Sequence, residues 1–271
     1  MLKREVHASA YLGHVDMVRS FPNLRCCLMV GIGGGAPNLP DHDIRLGDVV
    51  VSSPRNSVGG VLQYDHGKAV QNKPFHSTQH LNEPPKYLMS AVGELRIRYE
   101  EDDMPLQRMV NEALAKKPKL RQRYQRPSAE TDRLYRSDHL HPDNKPCSGL
   151  CRNDASKLVD RPQREEGPDD LLVHRGIIAS GSGLMKDAEI RDRWAKEKDV
   201  LCFEMEAAGL MNAFPCLVIR GICDYSDTHK NDQWQNFAAM MAAAYAKQIL
   251  MVLQPWVVED EVRITGRDIE G

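Results

Sequence analysis

The stretch Cys202–Asp227, CFEMEAAGLMNAFPCLVIRGICDYSD, contains two apolar runs that are each followed by acidic residues. The first run, Val200–Phe203, ends before two glutamates, and the second, Cys216–Ile222, ends before Asp224. Runs without polar alternation are typical of strands covered on both faces of a sheet. The stretch therefore predicts two buried strands with carboxylates at their C-terminal ends.

Similar apolar runs occur elsewhere in the chain beside glycines. Leu24–Val30 precedes the cluster Gly31–Gly35, and Val173–Ser180 precedes a Gly-Ser-Gly sequence. Shorter strand candidates are Asp48–Ser53 and Val61–Tyr64, and helical spacing predicts helices at 86–101, 187–198, 205–214 and 234–253. Strands that alternate with helices predict an α/β fold with a central mixed β-sheet flanked by helices.

The composition bears on the class of partner. With 36 basic and 38 acidic residues, the formal net charge of -2 gives no general attraction to nucleic acid or anionic membranes. No run approaches the roughly 18–20 uncharged apolar residues of a membrane helix, and the N-terminus lacks the apolar core of a secretory signal. The seven cysteines are an odd number, mostly within apolar segments. We therefore expect an intracellular, cytoplasmic protein with buried thiols that binds neither nucleic acid nor membrane.

One domain is expected over residues 1–257, interrupted by an insertion at about 102–170 and followed by a flexible tail at 258–271. The insertion is rich in charge, proline and histidine, so we expect a helix followed by a polar surface loop. Its basic cluster at 116–126 lacks interleaved aromatic residues. A solvated face therefore explains this cluster better than nucleic-acid binding.

Three polar sequences follow predicted strands, and ligands of open α/β sheets bind near the ends of strands. Consecutive glycines in Gly31–Gly35 let a ligand approach the backbone, although a tight turn explains them equally well. Glu204 and Glu206 flank Met205. A carboxylate there could accept from the hydroxyls of a ribose while Met205 packs on the sugar; alternatively both glutamates cap the next helix.

Asp224 is the candidate general acid. Cleavage of a glycosidic bond through a cation-like sugar requires a proton on the leaving group, and a carboxyl group can donate one to a purine nitrogen. Asp227 is the competing candidate, and it could instead cap the next helix. A purely structural role for Asp224 also remains open.

Together these segments resemble the nucleoside phosphorylase superfamily, which includes purine and uridine phosphorylases and methylthioadenosine / S-adenosylhomocysteine nucleosidases, and they are closest to its fungal branch. The resemblance rests on LMVGIGGGAPN at 28–38, HDIRLGDVVVS at 42–52, GGVLQYDHGK at 59–68, RGIIASG at 175–181, AAAYAK at 242–247 and the opening stretch. The pairing of FEMEAAG with RGICDYSD is its most specific element.

The resemblance implies cleavage of the N-glycosidic bond of a purine nucleoside by phosphate or water. It implies no cofactor, phosphate being the alternative co-substrate, and it admits a homo-oligomer. Asp224 would be the catalytic acid. The residues it implies for substrate binding are Met205 and Glu206 at the ribose, Gly31, Ile32, Gly33 and Gly34 beside sugar and phosphate, and Ser180, Gly181, Ser182, Leu184 and Met185 beside the base.

Two departures from the family bear on activity. Relatives begin with a strand whose loop binds phosphate or activates water, whereas here a helix leads directly to the strand at Leu24. Ile32 stands where phosphorylases usually place a hydroxyl residue that touches phosphate. The alternative to an enzyme is therefore a catalytically incomplete nucleoside-binding module or a truncated gene product.

The insertion also contains an HxH-x5-CxxxC array, formed by His139, His141, Cys147 and Cys151. Four soft ligands in a loop without a core could bind a structural zinc ion. The spacing matches no established zinc motif, and surface histidines and cysteines are common. We therefore expect no metal and keep zinc as the alternative.

Overall fold

The computed structural model describes residues 16–17, 19–68, 71, 76–77, 80–101, 106–141, 151, 154–164, 171–229 and 232–261. The strands are β1 (Leu28–Gly35), β2 (Val49–Ser52), β3 (Val61–Gln63), β4 (Gly67–Lys68), β5 (His76–Ser77), β6 (Val173–Ser180), β7 (Val200–Glu204) and β8 (Leu217–Asp224). The α-helices are α1 (Lys86–Glu100), α2 (Leu106–Ala115), α3 (Pro118–Tyr124), α4 (Ala188–Lys198), α5 (Gln235–Val252) and α6 (Pro255–Glu259).

Six strands form one sheet in the order β2-β8-β1-β7-β6-β3, while β4 and β5 pair separately. The β1–β8, β6–β7, β3–β6 and β2–β6 pairs are parallel, and the β1–β7 and β2–β8 pairs are antiparallel. Because β2 bonds to both β8 and β6, five of the strands close on themselves. The predicted mixed sheet flanked by helices is confirmed.

The glycine cluster lies inside a strand rather than in a loop after one. β1 begins at Leu28, later than predicted, and it pairs with β8 from Leu28 to Gly34. The strand predicted at Leu24–Val30 is therefore present but displaced to Leu28–Gly35, and the glycine loop predicted after it was wrong. Glycine has a weak preference for strands. Pairing with the neighbouring strands nevertheless keeps these glycines in the sheet.

The helix predicted at 205–214 is also wrong. Only a 3₁₀ helix forms there, at Ala207–Gly209. The chain has little room for a regular helix because Gly209 interrupts the segment and Pro215 disfavours helical geometry at the residue before it. By contrast, α4 begins as expected, with Asp187 accepting from the N–H of Ile190 at 2.9 Å.

Helix α5 covers one side of the closed sheet and contacts β1 and β8. The predicted face of this helix is buried: Trp234, just before it, and Phe237, Met241 and Tyr245 are each at most 1 % exposed. The approach to β8 is close, since a Cβ atom on Gly221 would lie 1.9 Å from the carbonyl oxygen of Ala238. The absence of a side chain at Gly221 thus sets the distance between helix and sheet.

In the described part of residues 102–170, α2 and α3 are followed by chain without further α-helices. Helix α2 buries Leu106, Val110 and Leu114 in the main core, whereas α3, in the basic cluster, buries no residue. Arg164 anchors the irregular part by donating two 2.8 Å hydrogen bonds to the fully buried Asp48. Although burial acts to raise the pKa of Asp48, the hydrogen bonds from Arg164 and His174 lower it to about 2.

The remaining expectations concern thiols, membranes and the tail. The six described cysteines are in the thiol form, with Cys26 and Cys27 half-buried rather than buried. None of the helices in the described part of the chain is both long and apolar enough to cross a membrane. The segment predicted as a tail begins within α6, and residues 262–271 lie outside the described residues.

Gly221→Ala should destabilise the protein by about 3 kcal/mol, because its methyl group would overlap the α5 backbone. Gly93→Ala is the matched control: it lies on the exposed side of α1, with no atom within 4 Å of the added Cβ, and should stabilise by about 0.5–1 kcal/mol. Urea unfolding followed by circular dichroism measures both. Equal stability of the two variants would contradict this packing.

Candidate active site

A cavity of about 200 Å³ opens where β1, β7 and β8 meet the start of α5. It is lined by Ile32, Gly33, Gly34, Gly183, Leu184, Met185, Phe203, Glu204, Met205, Glu206, Cys223, Asp224, Ser226 and Gln235. β7 runs antiparallel to β1, with Phe203 opposite Gly34. Glu204, the last residue of β7, and Glu206 therefore lie beside the glycines inside β1, rather than at a common edge of parallel strands.

The structure brings most of the sequence-predicted residues to this cavity. Ile32, Gly33, Gly34, Leu184, Met185, Met205, Glu206 and Asp224 all line it, although they come from distant parts of the chain. Gly31, Ser180, Gly181 and Ser182 are not among its lining residues. The functional roles of the lining residues stay predictions.

The four residues outside the lining support the site. A Cβ atom on Gly31 would lie 2.2 Å from Arg220 Nη1, so this glycine makes room for the guanidinium. The Ser180 hydroxyl accepts from the N–H of Ala208 at 2.9 Å. A Cβ atom on Gly181 would clash with the ring of Tyr64 at 2.5 Å, and Ser182 donates to Asp65.

Arg220 links the two glutamates. Its Nη2 donates to Glu204 Oε2 at 2.5 Å and lies 3.0 Å from Glu206 Oε2. Glu204 also accepts from the backbone N–H groups of Glu206 and Ala207 at 3.1 Å. The alternative prediction was that both glutamates cap the next helix. Glu204 does cap the 3₁₀ helix in this way, whereas the side chain of Glu206 does not.

Burial separates the functions of these two carboxylates. The side chains of Glu204 and Arg220 are 1 % and 5 % exposed, while that of Glu206 is 41 % exposed and faces the cavity. Partial burial raises the pKa of Glu206; the charge of Arg220 opposes this rise and that of Glu204 adds to it. As the pH falls, Glu206 therefore takes up a proton earlier than an ordinary glutamate does.

The structure separates the two candidate acids, Asp224 at the end of β8 and Asp227 in the loop that follows. Asp224 lines the cavity, and its Oδ1 accepts from the N–H of Ser226 at 2.8 Å. A Cβ atom on Gly34 would lie 2.6 Å from Asp224 Oδ1. The Asp224 carboxylate therefore packs against the backbone of Gly34. Asp227 is buried away from the cavity and accepts from the N–H of His229 at 2.8 Å.

Sequence reasoning missed several residues of the site. Arg220 is the most important, and its signal was a single cation inside the otherwise apolar run of β8. Such a charge is rarely buried without a partner. Phe203, Cys223 and Gln235 also line the cavity, and nothing in their local sequence distinguishes them from core or surface residues.

The structure is similar to 5'-methylthioadenosine/S-adenosylhomocysteine nucleosidases. The Helicobacter pylori enzyme, solved as a mutant with 5'-methylthioadenosine in its active site, gives a TM-score of 0.53 at 15% identity, covering 91% of this chain and 76% of that chain. The S. pneumoniae enzyme gives 0.53 at 14% identity, covering 92% and 78%. The chain therefore shares the fold of these nucleosidases, and the resemblance seen in the sequence is confirmed at the level of the fold.

Several curated proteins are similar in sequence. A nucleotide-binding leucine-rich repeat (NLR)-like protein of Hyaloscypha variabilis is 43% identical over 246 residues, which are 91% of this chain and 23% of that protein. ATP nucleosidase Cap17 of Escherichia coli is 35% identical over 79 residues, and a death domain-containing ATP nucleosidase of Amphimedon queenslandica is 30% identical over 111. These matches cover 27% and 35% of this chain and 16% and 21% of those proteins. No family model matches the sequence.

Arg220→Met should destabilise the fold by about 3–5 kcal/mol, because Glu204 would remain buried without its cation. Replacing both partners, in Glu204→Gln/Arg220→Met, should recover a large part of that loss. Arg98→Met breaks an exposed ion pair with Glu94 and should cost no more than about 0.5 kcal/mol. Urea denaturation compares the three; a double variant as unstable as Arg220→Met would refute the buried-charge explanation.

Proposed function

We propose that this chain hydrolyses the N-glycosidic bond of a purine nucleoside or of its nucleotide. The observation that carries the proposal is that Glu206 and Asp224 line one cavity of about 200 Å³ together with the glycine backbone of β1. Two carboxyl groups in one pocket suit a reaction that must hold a sugar and protonate a leaving base.

Glu206 holds the ribose in this proposal. Its half-exposed carboxylate can accept hydrogen bonds from two adjacent sugar hydroxyls, while Arg220 keeps it oriented from behind. Met205, beside it in the lining, offers an apolar surface to the sugar ring. Arg220 is a positioning residue, because its guanidinium is buried behind the glutamates.

Asp224 acts on the base. Its carboxyl group donates a hydrogen bond or a proton to a ring nitrogen of the purine, which makes the base a better leaving group as the sugar becomes cation-like. Leu184 and Met185 lie in the same lining and can pack on the faces of the base. The bond from the anomeric carbon to the base breaks, a bond to a water oxygen forms, and the proton that the water loses to solvent balances the one with which solvent restores Asp224.

Water is favoured over phosphate as the attacking group. Ile32 lines the cavity and has no hydroxyl or charge with which to hold phosphate. The named relatives support the same choice, since they include nucleosidases of methylthioadenosine and of ATP. The ATP nucleosidases also support extending the substrate class from nucleosides to purine nucleotides.

A binding module without turnover is the second candidate. The carboxylates in the described lining are Glu204, Glu206 and Asp224, and Glu204 is already engaged by Arg220 and two backbone N–H groups. The described lining therefore offers no further carboxylate to activate water. A protein that binds a purine nucleoside and releases no base would fit this observation.

Purified chain incubated with adenosine, methylthioadenosine or ATP should release free adenine without phosphate, as measured by HPLC. Asp224→Asn should reduce the rate by at least about 100-fold while nucleoside affinity changes little, because the acid acts on the transition state. Asp41→Asn, on the exposed surface outside the cavity lining, is the matched control and should retain full activity.

Three outcomes separate the alternatives. Adenine that forms only when phosphate is added would replace hydrolysis with phosphorolysis. Binding without release of base from any of the three substrates would favour the binding module. Full activity in Asp224→Asn would remove this residue from the mechanism.

Glu206→Ala should weaken adenosine binding by about 10- to 100-fold, because the sugar hydroxyls lose a charged acceptor. Calorimetric titration in the Asp224→Asn background measures affinity without turnover. Glu189→Ala, an exposed glutamate at the start of α4, is the control and should bind as tightly as the parent. An unchanged Kd in Glu206→Ala would exclude this carboxylate from the sugar site.

A further inference from the structure

Three imidazole rings stack where the insertion meets the loop after β8. The rings of His139 and His141, from the insertion, have their centroids 5.2 and 5.4 Å from the ring of His229 in that loop. Tyr135 stacks on His229 at 3.9 Å. Segments far apart in sequence therefore bring potential metal ligands together.

Cys151 completes the cluster. One ligand atom from each of His139, Cys151 and His229 lies within 4.8 Å of the others. A tetrahedral zinc ion with bonds of about 2.0–2.3 Å needs ligand atoms roughly 3.3–3.6 Å apart. Small side-chain rotations would therefore close the three atoms around one ion.

Unsatisfied nitrogen atoms supply a second, independent observation. His139 Nε2, His141 Nδ1 and both ring nitrogens of His229 are buried and have no hydrogen-bond partner among the described residues. His229 as a whole is only 7 % exposed. Leaving buried polar atoms unpaired is costly, and an ion is one of the recognised explanations for such a group.

We propose that His139, Cys151 and His229 bind a zinc ion, and that His141, whose ring nitrogens lie outside the 4.8 Å group, turns in as the fourth ligand. Thiolate and imidazole donors together favour zinc over magnesium or calcium, which prefer oxygen. Of the four residues in the sequence array, Cys147 lies outside the described residues. His229, which the array did not include, is brought in by the fold.

Asp227 fits the role of a carboxylate that orients a metal-bound histidine. Its Oδ2 lies 3.5 Å from Nδ1 of His229 and has no hydrogen-bond partner among the described residues, while its Oδ1 is held by the backbone N–H of His229 at 2.8 Å. A proton on Nδ1 shared with Asp227 leaves Nε2 to the metal. This arrangement also accounts for a carboxylate buried away from the nucleoside cavity.

The zinc site is structural rather than catalytic. Cys151 is 2 % exposed, and none of the four ligands lines the cavity that contains Asp224. The ion would fasten the insertion to the loop after β8, where the N–H of His141 already donates to Thr228 Oγ1 at 2.8 Å. Zinc binding here does not depend on the proposed hydrolysis.

Metal analysis by mass spectrometry tests the site on the full chain, expressed in zinc-supplemented medium and desalted. We expect about one zinc ion per chain, as in a closed structural site. Cys151→Ser and His229→Ala should each reduce the zinc content more than about tenfold because each removes a ligand. Cys26→Ser and His80→Ala, outside the cluster, should retain it.

Cobalt substitution guards against variants that fail to fold. Co²⁺ added to the metal-free parent chain should give thiolate-to-cobalt charge-transfer absorption, and Cys151→Ser with parental circular dichroism should lack it. Asp227→Asn should weaken zinc binding by about 10- to 100-fold through His229. A parent chain without zinc and without the cobalt band, or Cys151→Ser with full zinc content, would overturn the proposal.

Discussion

The buried ion pair of Arg220 and Glu204 is the interaction on which the candidate site depends. It allows Arg220 to be buried in a strand that is otherwise mostly apolar. The same guanidinium pairs with two carboxylates, those of Glu204 and Glu206. The carboxylate of Glu204 is fully engaged by Arg220 and by the backbone N–H groups at the start of the 3₁₀ helix. Glu206 is therefore the glutamate that remains accessible from the cavity. Gly31 is required by the same ion pair, because a side chain at this position would occupy the space of the Arg220 guanidinium. A buried ion pair of this kind adds little to the free energy of unfolding, but it fixes the positions of the two glutamates.

The loop after β8 joins the two functional hypotheses. Asp224, the last residue of β8, precedes it at the candidate cavity, and Asp227 and His229 lie farther along it at the cluster of imidazole rings. The insertion therefore bears on the position of a candidate catalytic residue, although none of its described residues lines the cavity. Such remote support is one way in which a scaffold holds an acid at the correct distance from a leaving group.

The sequence predicted the mixed sheet, its main strands and the association of Glu206 with Asp224, because uninterrupted apolar runs and polar strand ends are local signals. It did not predict that the glycines of β1 lie inside the ladder, since pairing with β8 is decided by partners far away in sequence. The 205–214 helix failed because Gly209 and Pro215 interrupt the segment, although Glu204 accepts from its first free N–H groups as a cap does. The sequence did not indicate His229 as a candidate ligand, because the residues grouped with it, His139 and Cys151, lie far away in the insertion.

A nucleoside complex tests the central claim most directly. In a crystal structure of Asp224→Asn grown with adenosine, both ribose hydroxyls should lie within hydrogen-bond distance of Glu206, with Arg220 still bridging the two glutamates and a purine nitrogen facing residue 224. Adenosine bound elsewhere on the chain, or bound in this cavity with its sugar turned away from Glu206, would contradict the account.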